Sequence, residues 1–89
     1  MSNLDNSKSD FGAIAPAIAT ADTLFELGLM YCIGREVAQD YVTAHKWFNL
    51  AAMKGSDEAR TYRCEISREM SAAQVHEAQK LARAWMTLH

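Results

Sequence analysis

The sequence predicts an all-α fold of four helices arranged as two antiparallel hairpins. Three observations predict it. Residues suited to helix caps stand ahead of four successive segments, apolar side chains recur within those segments at three- and four-residue spacing, and no segment reads convincingly as a strand. The chain has 89 residues, enough for one domain. An apolar share of 49% is that of a packed chain, so a hydrophobic core is expected.

Residues 1–10 (MSNLDNSKSD) hold few hydrophobic side chains and read as a tail. The first helix starts at Thr20 or Asp22, either of which can cap it, with Glu26 as a capping-box partner three residues after Thr23. It runs to Ile33, where Gly34 suits a left-handed C-terminal cap. Asp40 caps a second helix that runs through Lys54 and stops at Gly55. Ser56 caps a third, with Asp57 and Glu58 in its first turn, where acidic groups favour the helix dipole; it extends to about Met70. Ser71 and Gln74 form a capping box for a fourth helix that reaches close to the C-terminus.

Helix two carries Tyr41, Ala44, Trp47, Phe48 and Ala51 as one stripe, which must be buried. Its small residues let a neighbouring helix approach while Trp47 and Phe48 fill the space beside them. Helix one is apolar on nearly all sides. Leu24, Leu27, Gly28 and Tyr31 form one face, Phe25, Leu29, Met30 and Ile33 cover much of the rest, and something must lie on that second face.

From Leu27 to Ala59 the residues Leu27, Gly28, Tyr31, Gly34, Val37, Asp40, Ala44, Trp47, Phe48, Ala51, Ala52, Gly55 and Ala59 follow one pattern. It is L-G-x-x-Y-x-x-G-x-x-V-x-x-D-x-x-x-A-x-x-W-[YF]-x-x-A-A-x-x-G-x-x-x-A. This closely resembles the Sel-one-like repeat, a relative of the tetratricopeptide repeat, over about residues 21 to 59. The resemblance implies a short αα-solenoid of tetratricopeptide-like type and an adaptor or scaffold role, as the family serves in bacterial regulation and eukaryotic signalling assemblies. A second copy begins in phase, with Ala59 and Cys64 standing 36 residues after Thr23 and Gly28, and then decays. The expected organisation is therefore a flexible tail over 1–19, the repeat pair over 20–55, and a degenerate repeat with C-terminal capping helices over 56–89.

Two departures from the pattern stand out. Glu36 occupies the place of a second loop glycine. Leu50 occupies a place often held by lysine, on the otherwise polar side of helix two, where it reads either as a stray exposed leucine or as part of a contact surface. One and a half repeats are also short of cover for their own apolar surface. Phe11, Ile14 and Ile18 folding back on helix one, a second copy of the chain, or a different protein would supply it. Fold-back with some self-association is the favoured solution.

A net charge of −2, with nine basic residues spread among eleven acidic ones, gives no footprint for nucleic acid. The apolar stretch from Phe11 to Ala21 is interrupted by Pro16 and preceded by Asp5 and Asp10, a poor signal-peptide pattern, and is too short for a membrane span, so a cytoplasmic protein is expected, with an uncleaved leader as the minor alternative. His45 reads as a partly buried structural or boundary histidine, without an acid or nucleophile at useful spacing, and His76 and His89 read as surface residues. Arg60, Arg63 and Arg68 interleave with Glu65 and Glu69 as a salt-bridged, solvated face. No enzyme, cofactor or metal site is expected. The function expected is protein–protein binding through Phe25, Leu29, Met30 and, less centrally, Leu50, to a partner protein or to a second copy. The alternative is a thiol- or metal-dependent regulator using Cys32 and Cys64 with His45.

Overall fold

The computed structural model describes residues 16 and 18–88. Within them lie four helices in chain order: α1 (Ala21–Ile33), α2 (Tyr41–Met53), α3 (Asp57–Ser67) and α4 (Ala72–Leu88). Among the described residues there is no strand. The expectations for Phe11, Ile14 and His89 fall outside the described residues.

Local cap chemistry sets most of the boundaries. Thr20, not Asp22, opens α1: its backbone is extended and its hydroxyl accepts the Thr23 N–H at 3.1 Å. With Thr20 as the cap, the third helical position is Thr23, so Glu26 has no capping role and instead faces Arg35 at 3.7 Å. Asp40 accepts both the backbone N–H (3.2 Å) and the hydroxyl (2.7 Å) of Thr43. Ser56 accepts the Ala59 N–H at 3.1 Å. Ser71 and Gln74 make the reciprocal pair expected of them, at 2.9 and 3.1 Å. Helix α3 is shorter than expected because Arg68, Glu69 and Met70 turn inward on i−3 carbonyls and close the link to α4.

The link from α1 to α2 is tied from both ends. Gly34 adopts φ 83° and gives its N–H to the Met30 carbonyl at 2.8 Å, with the Arg35 N–H on the same carbonyl at 3.0 Å. Gln39 Nε2 donates to the Cys32 carbonyl and the Asp40 N–H to the Tyr31 carbonyl, both at 2.9 Å. Between them Glu36 takes φ 67°, so the link keeps the left-handed conformation that glycine would favour there, with a glutamate in it.

Helix α2 is the hub, packing against all three of the others. It buries Ala44, His45, Trp47, Phe48, Leu50, Ala51 and Ala52, around most of its circumference. Gly28 of α1 lies against the Phe48 ring so closely that a Cβ there would overlap it. The α2–α3 pair is antiparallel in a register fixed by two polar contacts. His45 Nε2 meets Ser67 Oγ at 3.1 Å, and Asn49 Oδ1 accepts from Arg63 Nη1 at 2.6 Å, so four residues along α2 correspond to four residues back along α3.

Ahead of α1, Pro16 and Ala19 are buried, and the Lys54 ammonium donates to the carbonyls of both, to Ala19 at 2.7 Å. Ile18 lies between them but is 76% exposed, because the carbonyls and not the apolar side chain are what the end of α2 holds. It does not cover α1.

Candidate interaction surface

Of the four residues expected to contact a partner, the structure keeps three together on α1 and removes the fourth. Leu50 is 1% exposed. Its side of α2 is polar in sequence, yet with three helices around α2 that side is enclosed, so Leu50 is core and neither a stray surface leucine nor a contact.

Phe25 sits in an aromatic triangle that joins three helices. Its ring lies 5.9 Å from Phe48 of α2 and 5.5 Å from Tyr62 of α3, and Phe48 and Tyr62 stack at 5.5 Å with 27° between their planes. Part of the second face of α1 is thus covered by α3. Leu29 and Met30 are half-buried against the core. Ile33, one turn further on, is 64% exposed and completes an apolar strip at the C-terminal end of α1. It carries the largest exposed apolar side chain of that strip, although the sequence pattern placed it behind Phe25, Leu29 and Met30.

A second apolar feature lies on another side of α2. Asn49 and Met53 of α2 and Ala82, Arg83, Met86 and Thr87 of α4 line an open groove of about 200 Å³, with Met53 64% exposed. The same two helices also meet through Trp47 and Trp85, edge to face at 5.4 Å. The sequence reading took α4 as decayed repeat and missed Trp85. The available signal was that Ala82, Trp85 and Met86 restate Ala44, Trp47 and Phe48 at an offset of 38 residues, and both alanines are fully or almost fully buried.

Polar chemistry does not converge anywhere comparable. His45 is 2% exposed, more deeply buried than a boundary residue, and among the described residues its side-chain polar partner is Ser67. His76 is exposed. Cys32 is half-buried, and burial followed by the nearby Glu65 carboxylate pushes its thiol pKa above the ordinary value, while Cys64 is exposed; both thiols are free. Gly28 is buried where its counterpart Cys64 is not, so the second copy of the repeat keeps the phase of the first without its close contact. Among the described residues no three His, Cys, Asp or Glu side chains come together as a metal site would need. Arg63 turns to Asn49 instead of to Glu65 or Glu69, and the ion pairs among the described residues are Arg60–Asp57 at 2.9 Å and Arg35–Glu26, so the expected ladder along α3 does not form. Among the described residues no helix is long and apolar enough to cross a membrane.

Over the described residues the fold is an all-α arrangement of four helices that leaves Ile33 and Met53 exposed among its apolar side chains. No known family, curated protein or solved structure matches the chain.

Proposed function

We propose that the chain is a protein-interaction module of the Sel-one-like, tetratricopeptide-like class, acting as an adaptor or scaffold in the cytoplasm, with bacterial regulatory assemblies as the nearest precedent. Its mechanism is burial of the apolar end of α1 against a protein partner or a second copy of itself. The observation that carries this reading is Ile33, 64% exposed beside the half-buried Leu29 and Met30. Burying such a side chain contributes about 1.5–3 kcal/mol, and water gains nothing from touching it. Phe25 supports the strip from below through the aromatic triangle and presents only part of its ring. The two free thiols suit a reducing compartment.

The test is Ile33→Asp. Because the side chain makes little contact within the fold, the variant should keep its helical circular dichroism and its melting temperature. Loss of about 2 kcal/mol of burial should weaken association, read as solution mass by light scattering across a concentration range, by roughly thirtyfold. A wild-type chain that stays monomeric at every concentration moves the expectation to a different partner protein. Binding of an isolated partner that is unchanged by Ile33→Asp would sink the reading.

A further inference from the structure

We propose that His45 is an acid-sensitive latch on the seam between α2 and α3, so that proton uptake by its ring releases α3 from the hub helix. The hydrogen-bond geometry determines the ring's protonation. Ser67 has one hydroxyl proton, and it goes to the Arg63 carbonyl at 2.7 Å. Its oxygen must therefore accept at 3.1 Å from His45, which places the single imidazole proton on Nε2. The other ring nitrogen, Nδ1, is buried and has no well-formed hydrogen bond among the described residues, the backbone of its own residue giving only a weak contact.

A second proton would have to go on Nδ1. There it would be a buried donor with only the backbone of its own residue to turn to, on a ring now carrying a charge. Among the described residues no carboxylate acts on the ring. From α3 the ring feels the Arg63 guanidinium, which repels it. The buried residues of α1 are Leu24, Leu27 and Gly28, and those of α4 are Ala78, Ala82 and Trp85. On α2 itself the next residue is Lys46, another cation.

The same protonation would strike the polar register of the whole seam. Arg63, whose carbonyl anchors Ser67, is also the residue whose guanidinium holds Asn49 one turn away. Once the seam opens, the imidazole meets water and takes its proton freely, and the contacts of Tyr62 with Phe48 and Phe25 are lost together.

Burial first, and the Arg63 charge second, hold the His45 pKa below its ordinary value of 6.5 in the closed state. The open state therefore binds the proton more strongly. The closed state keeps its full advantage above about pH 6.5, and loses it progressively as pH falls from there through the depressed closed-state value.

The experiment is amide hydrogen exchange of the full chain between pH 5.0 and 7.5, corrected for the intrinsic rate, with the tryptophan emission followed in parallel. In the wild type the opening constant of α3 amides should rise by up to about tenfold per pH unit below 6.5, ahead of those in α1. His45→Gln retains a donor for Ser67 but cannot be protonated, and its slope should be flat while His76 and His89 remain. An equal slope in His45→Gln, a flat wild-type profile, or a rise shared uniformly by all four helices each overturns the latch. If His45→Gln does not fold, the wild-type ring is titrated directly by NMR: a midpoint below 6.5 supports the latch, and one at or above 6.5 overturns it.

Discussion

Trp47 of α2 and Trp85 of α4 meet edge to face, 5.4 Å apart with 79° between their planes, and both are almost wholly buried. This pair is the main aromatic contact that α4 makes with the hub helix. Trp85→Ala should cost about 3–5 kcal/mol by removing a large buried ring and leaving a cavity beside Trp47. The readout is the urea midpoint, with the Trp47 emission shifted to longer wavelength. Trp85→Phe, which keeps an edge-to-face partner, should recover much of the loss.

Gly28 and Phe48 form the tightest approach between α1 and α2. In an open helix, Gly28→Ala would stabilise by about 0.5–1 kcal/mol through helix propensity. Here the added methyl would overlap a fully buried ring with no room to move, so the variant should be less stable by about 1–3 kcal/mol. A thermal melt above that of the wild type would refute this packing.

Glu36 is the one non-glycine among the described residues with positive φ, at 67°. Holding a side-chain-bearing residue there costs about 1–2 kcal/mol, part of which glycine gives back through the greater freedom of its unfolded chain. Glu36→Gly should therefore raise stability by up to about 1 kcal/mol, and Glu36→Val should lower it. Denaturant melts of the two variants would show the opposite signs.

The cysteines should separate by reactivity. Cys64 is exposed, whereas Cys32 is half-buried and its thiol is kept protonated by burial and by Glu65. Timed alkylation with iodoacetamide at pH 7.5, read by mass spectrometry of digests, should label Cys64 before Cys32. Glu65→Gln should narrow the gap.

What could be read from the sequence was the chemistry that acts within a few residues. Asp40 with Thr43, Ser56 with Ala59, Ser71 with Gln74, and Gly34 behind Met30 are all contacts between near neighbours, and each formed as its residue types dictate. The burial of Ala44, Trp47, Phe48 and Ala51 was equally legible, since helical periodicity puts them on one face. What depended on the path of the distant chain was not. Leu50 looked exposed because its neighbours Lys46 and Lys54 are charged, but Lys46 lies over the Trp47 ring and Lys54 reaches past the helix end to two carbonyls, which leaves Leu50 enclosed. Arg63 was assigned to acidic neighbours on its own helix and went across the seam to Asn49. The apolar residues Phe25, Leu29 and Met30 of α1 were visible in the sequence, while the most exposed member of that strip, Ile33, had to be found from the burial of the others.

Lys54 also bears on the order in which the molecule comes together. Its two contacts span 35 and 38 residues, whereas the caps and turns that start each helix span three or four. Closing so long a loop is entropically costly until α1 already lies along α2, so the ammonium can engage the Pro16 and Ala19 carbonyls only after that hairpin exists. A contact made so late contributes little to the speed of folding and acts on the rate of escape from the native state. The side chain that ends the hub helix should thus act as a kinetic lock, setting how long Pro16 and Ala19 stay in place once the rest has assembled.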